Sequence, residues 1–95
     1  MMRRSFYDFL RGDLVSLRGE IYTAAVYHDN QPFEYSAYAF TAVSNDTGVV
    51  ISRLSENNIS ILYHYIRVFF SNGKVGVIIS DNLKIVQRYR AATVI

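Results

Sequence analysis

The chain has 95 residues, of which 51% are apolar and 19% are charged, and its formal net charge at pH 7 is +2. This length predicts a single domain, 1–95, and the composition excludes a disordered chain because enough apolar surface is available for a core. The chain has no cysteine, which excludes disulfides, thiolate metal sites and a cysteine nucleophile.

The apolar runs predict no membrane contact. The longest of them is well short of the roughly 18–20 residues that a membrane-spanning helix needs. Near the N-terminus, Asp8 and Asp13 interrupt any hydrophobic region of a secretion signal. Together with the lack of cysteine, this pattern favours a cytoplasmic protein.

The first segment has a helical pattern. Apolar side chains recur at three- and four-residue steps from Phe6 to Leu17, which is typical of one face of a helix. Ser5 is a suitable N-cap residue. We therefore predict a short helix from Ser5 to Arg11, with an extension to Arg18 as the longer alternative.

Regularly spaced turn signals follow, and they predict a mostly antiparallel sheet of about five strands. The Asn72-Gly73 pair is the strongest signal, because both residues tolerate the positive φ of a type I′ hairpin turn. The predicted strands are 20–28, 33–43, 49–54, 75–79 and 83–90, and the Asn72-Gly73 turn joins 75–79 to an apolar run that ends at residue 70.

The segment 56–70 fits two structures. Its apolar positions from Ile59 to Phe70 follow helical spacing, whereas its Ile, Tyr, Val and Phe content favours a strand. The helix is preferred, so the predicted class is α+β: a short N-terminal helix, the sheet, and a second helix at 56–70. The alternative is a nearly all-β small barrel.

No motif predicts enzyme chemistry. His28 and His64 are the only histidines and lack metal-site spacing, and neither a nucleophile elbow nor a glycine-rich phosphate loop is present. We therefore predict a protein that is not an enzyme, with no catalytic residue, no metal and no cofactor.

The chain is rich in tyrosine, with eight residues of this type. Tyrosine is enriched at protein interfaces, and so small a core cannot satisfy every hydroxyl. The leading hypothesis is a small protein-binding or regulatory protein of the inhibitor, immunity or mobile-element type. Its partner is another protein, with homodimerisation through a strand edge or residues 59–70 as a further prediction. The candidate contact residues are Tyr22, Tyr35, Tyr38, Tyr63 and Tyr65.

The alternative hypothesis is a nucleic-acid-binding module. Cations share one side of the last predicted strand, and the N-terminal arginines could join them to contact phosphates. The competing interpretation is a solvated strand edge on which cations prevent aggregation. The candidate residues are Arg3, Arg4, Lys84, Arg88 and Arg90.

The segment 36–43 resembles the RNP1 strand of RNA-recognition motifs in its Tyr-Ala-Phe core. The resemblance implies that Tyr38 and Phe40 are exposed and stack on bases. The motif's basic residue and glycine are replaced here by Ser36 and Ala37. The alternative is that both aromatic rings face the core.

Overall fold

The computed structural model of the chain describes residues 8–29, 38–54 and 64–88. They form one antiparallel sheet of seven strands in the order β3-β2-β6-β5-β4-β1-β7. A short 3-10 turn, Ser80–Asn82, joins the last two strands. The strands are β1 Leu14–Leu17, β2 Thr23–Tyr27, β3 Tyr38–Val43, β4 Thr47–Arg53, β5 Tyr65–Phe70, β6 Val75–Ile79 and β7 Leu83–Gln87.

The predicted α+β class is wrong, because the described residues contain no α-helix. β1 occupies the region into which the N-terminal helix was predicted to extend. Before it, residues 10–13 form a turn in which the Asp13 N–H donates to the Leu10 carbonyl at 3.1 Å, and the Leu10 N–H donates to the Asp13 carboxylate at 3.1 Å. These bonds replace helical ones, since aspartate competes for nearby backbone donors. Residues 5–7 of the predicted helix lie outside the described residues.

The second predicted helix is wrong over β5. This strand lies inside the sheet, between β4 and β6, and buries Ile66, Val68 and Phe70 on one face. Hydrogen bonding to two neighbours outweighs the helical spacing, as the β-branched and aromatic composition favours. Residues 56–63 lie outside the described residues. The nearly all-β alternative describes the class, but the sheet is open rather than a barrel, with β3 and β7 at its edges.

The hairpin at Asn72-Gly73 is confirmed, but its turn type differs. Phe70 N–H donates to the Lys74 carbonyl at 2.8 Å, so the loop has three residues, 71–73. Gly73 has φ +85°, and every residue with positive φ in the described ranges is a glycine. A type I′ turn needs two positive φ values, whereas a three-residue loop with a left-handed glycine at its end needs one.

One face of the sheet carries the main core. The buried side chains alternate along the strands, and the Phe40 and Phe70 rings meet edge to face with centroids 5.3 Å apart. Their strands β3 and β5 are three strand spacings apart in the sheet order, roughly 14 Å in a flat sheet. The sheet therefore curls around this inner face. The core residues are Phe9, Val15, Leu17, Ala24, Val26, Ala42, Val50, Ile66, Val68, Phe70, Ile78 and Leu83.

Candidate protein-binding surface

The outer face of the sheet is buried at one end. Leu54, Tyr65 and Val77 form a second apolar cluster there, and Tyr27 and Ile79 pack against it. The rings of Tyr27 and Tyr65 meet edge to face at 6.3 Å. This end of the outer face is therefore already used for packing within the chain.

Arg67 lies on β5 between this cluster and the rest of the outer face. Its Nε donates to Asp29 Oδ2 at 2.7 Å, and its Nη1 donates to Ser52 Oγ at 2.6 Å. The side chains of Arg67 and Asp29 are only 21% and 24% exposed. The positive charge in the middle of the outer face is thus balanced by a carboxylate held against it.

Beyond Arg67 the outer face is apolar and open to solvent. Val49 on β4 lies directly opposite Phe69 on β5, which lies directly opposite Val75 on β6. Their exposed fractions are 41%, 47% and 41%. We call these three residues the exposed row. Leu14, which is half-buried, extends the row onto β1 opposite Val49.

Little net charge borders the exposed row. Side chains two positions apart on a strand lie on the same face. Such neighbours of the exposed row are Thr47 on β4, Arg67 on β5 and Val77 on β6. Arg67 is the one charged residue of the three, and Asp29 balances it. Depletion of charge around exposed apolar side chains is typical of the centre of a protein interface.

The three predicted tyrosines that the structure describes do not form one surface. Tyr22 is 76% exposed and Tyr38 is 55% exposed. Tyr22 precedes the first residue of β2, whereas Tyr38 pairs with the last, Tyr27, so about 16 Å of strand separates them. Tyr65 is buried in the second cluster. The remaining two candidates, Tyr35 and Tyr63, lie outside the described residues.

The two described residues of the predicted basic stripe have different surroundings. Lys84 is exposed on the edge strand β7. The guanidinium of Arg88 instead donates to Asp13 Oδ2 at 2.9 Å and to the Asp8 carbonyl. Asp13 is 1% exposed, so Arg88 ties the end of β7 to the segment before β1. The other candidates, Arg3, Arg4 and Arg90, lie outside the described residues.

The two aromatic residues of the RNP1 resemblance take different positions. Tyr38 is exposed, and its hydroxyl is 2.5 Å from the hydroxyl of Thr41. Phe40 packs on the inner core. The paired, exposed aromatic rings that the resemblance implies are therefore not presented by this strand.

Within residues 8–29, 38–54 and 64–88, no three histidine, cysteine, aspartate or glutamate side chains are grouped so that they could hold a metal ion. The same ranges contain no helix with the length and apolarity needed to cross a membrane.

The exposed row joins residues that are distant in sequence, and the sequence analysis missed all three. The sequence held part of the signal for Phe69. If the segment is taken as a strand, Val68 and Phe70 face one side of the sheet and Phe69 faces the other. Comparison of the chain with protein-family models, with curated proteins and with solved structures found no match in any of the three.

Proposed function

We propose that the chain is a small protein-binding or regulatory protein that contacts its partner through the exposed row. The observation that carries the proposal is the contiguity of Val49, Phe69 and Val75 across three neighbouring strands. Single exposed apolar residues are common, whereas a contiguous group bordered by polar residues marks an interaction site. Phe69 is the central and largest of the three.

The row supplies a useful share of a binding free energy. Full burial of a valine or phenylalanine side chain stabilises by about 1.5–3 kcal/mol. The exposed fractions of 41–47% leave about 0.6–1.4 kcal/mol per residue for a partner to gain, or about 2–4 kcal/mol for the row. A central group of this kind matches the few residues that dominate most protein interfaces.

The nucleic-acid alternative is not favoured by a specific observation. Of its five candidate residues the structure describes Lys84 and Arg88, and Arg88 is held by Asp13. The proposed contact surface is the exposed row and not the set of tyrosine candidates, because Tyr65 is buried.

The proposal is tested by affinity capture from a lysate of the native host, using three variants beside the wild type. Phe69→Thr and Val75→Thr make the row more polar and place a strand-favouring β-branched side chain at each position. Val43→Thr is the matched control, since Val43 is 45% exposed but lies on the edge strand β3 opposite Thr23. Quantitative mass spectrometry compares the proteins retained by each variant.

The expected result is a protein retained equally by the wild type and Val43→Thr, but depleted with Phe69→Thr and, less strongly, with Val75→Thr. Equal retention by all four proteins would contradict the proposal. Sedimentation of the purified wild type and of Phe69→Thr shows whether the partner is a second copy of the chain, because a dimer formed through the row disappears in the variant.

A further inference from the structure

A groove lies between the turn at residues 10–13 and the end of β4. Its volume is about 360 Å³. Phe9 is fully buried beneath it, and Leu10 is 52% exposed beside it. Three of its six lining residues are apolar, and the groove is open to solvent. The lining residues are Phe9, Leu10, Arg11, Ile51, Ser52 and Arg53.

The charged residues that line the groove are both arginines, Arg11 and Arg53. Both are exposed, and Arg11 occupies the second position of the turn that begins at Leu10. Arg53 also has a contact within the protein, which it can keep because a guanidinium has five N–H donors. Two guanidinium groups beside an apolar wall are complementary to a ligand that combines carboxylates with an apolar side chain.

The backbone of the groove favours an extended ligand. The pairing of β1 with β4 ends at Leu14 and Val49. Next to this pair, the Gly12 N–H donates to the Val50 carbonyl at 2.8 Å, and the Val50 N–H donates to the Asp13 carbonyl at 2.9 Å. β4 continues to Arg53 through an irregularity in its pairing with β5. The part of β4 that lines the groove therefore runs past the strand that flanks it, and an extended peptide placed there would take the position of β1.

We propose that this groove binds an extended, acidic peptide segment of another protein alongside residues 51–53 of β4. An apolar side chain of the peptide packs against Leu10 above Phe9, and its carboxylates bind the guanidinium groups of Arg11 and Arg53. This site shares no residue with the exposed row and goes beyond the proposed function, because it assigns a second ligand of defined chemistry.

The test uses three pentapeptide probes of equal length with blocked ends. One alternates valine with glutamate, the second alternates valine with lysine, and the third is the acidic probe with every backbone nitrogen N-methylated, so that no main-chain group of it can donate to a strand. Binding is followed by chemical-shift changes of the backbone amides of Leu10 and Ser52 in the ¹⁵N-labelled full chain. Arg11→Glu is the test variant, and Lys84→Glu carries the same charge change on the distant edge strand β7.

We expect the acidic probe to bind to the wild type and to Lys84→Glu with equal affinity. Arg11→Glu should weaken this binding about tenfold or more, since one charge-assisted contact is lost and a repulsion is added. The lysine and N-methylated probes should bind at least tenfold more weakly than the acidic probe.

Equal binding of the acidic and basic probes, equal loss in the two variants, or displacement by a ten-residue thymidine oligonucleotide would overturn the proposal. So would tight binding of the N-methylated probe, because strand addition would then be unnecessary. Phe69→Thr separates this site from the exposed row: it should bind the acidic probe as the wild type does, even if capture through the row fails.

Discussion

Arg88→Met removes the cation that holds the most deeply buried carboxylate among the described residues. Asp13 is 1% exposed, and its Oδ2 accepts from Arg88 Nη1 at 2.9 Å and from the Leu10 N–H at 3.1 Å. Methionine keeps most of the length and apolar volume of the arginine stem. The substitution therefore removes the Arg88 cation from a carboxylate that stays buried.

The expected loss of stability follows from the exposure of the two partners. Removing one member of a fully buried ion pair costs about 3–5 kcal/mol. The Arg88 side chain is 35% exposed, so solvent screening reduces the cost, and we expect about 2–3 kcal/mol. Asp13→Asn should cost less, about 1–2 kcal/mol, because the amide oxygen still accepts from Leu10 and the partly exposed guanidinium can be hydrated.

Urea denaturation followed by circular dichroism measures these differences. The double variant Asp13→Asn/Arg88→Met should lose less than the sum of the single variants, since the second substitution acts on a pair already broken. Lys84→Met is the matched control on β7, the strand that directly precedes Arg88; the lysine is exposed there, and the change should alter stability by less than about 0.5 kcal/mol. An Arg88→Met midpoint equal to that of Lys84→Met would refute the assigned role of the ion pair.

Three further substitutions test the sheet by thermal unfolding. Gly48→Ala would place a Cβ 2.4 Å from a Val68 methyl and 3.0 Å from a backbone oxygen, so we expect the free energy of unfolding to fall by about 1–3 kcal/mol. Gly19→Ala is the control, because its Cβ would meet nothing within 4 Å, and it should be nearly neutral. Equal melting temperatures of these two variants would contradict the close approach of the strands at Gly48. Gly73→Ala should cost about 1–2 kcal/mol because its φ of +85° is left-handed, and an unchanged melting temperature would contradict that conformation. Arg67→Met should cost about 1–3 kcal/mol by leaving its half-buried aspartate partner without the cation, and wild-type stability would show that the outer-face pair contributes nothing.

The sequence predicts the local parts of this fold well. The bounds of β6 agree with the predicted 75–79, and the hairpin before it was predicted from Asn72-Gly73. Short turns are specified by the two or three residues within them, so local chemistry suffices. The loop length differs from the prediction because it also depends on how Phe70 pairs with Lys74.

The helix predictions are wrong in segments whose apolar residues fit both the helical spacing and the two-residue alternation of a strand. Leu10, which the helical pattern places on the buried face, is 52% exposed, whereas Val15 and Leu17 are buried in strand alternation. Asp13 favours the observed turn, because its carboxylate binds a backbone donor and a guanidinium that is 75 residues away in sequence. A contact at that separation is not readable from local spacing.

The candidate surface depends on strand register, which joins distant parts of the chain. Val49 and Phe69 are 20 residues apart in sequence and become neighbours only through the pairing of β4 with β5. Tyr65 shows the same dependence in the opposite direction, because its side of β5 packs against Leu54 and Val77 rather than facing solvent. Residue type indicated an interaction surface, and register determined which residues can form it.

The most direct test of the exposed row is its protection by the captured partner. Valine methyl groups are labelled with ¹³C, and a soluble paramagnetic probe is added with and without the partner. The probe should broaden the methyl signals of Val49, Val75 and Val43 in the free protein, since all three are 41–45% exposed. Bound partner should protect Val49 and Val75 and leave Val43 broadened; protection of Val43 alone, or continued broadening of Val49 and Val75, would contradict the account.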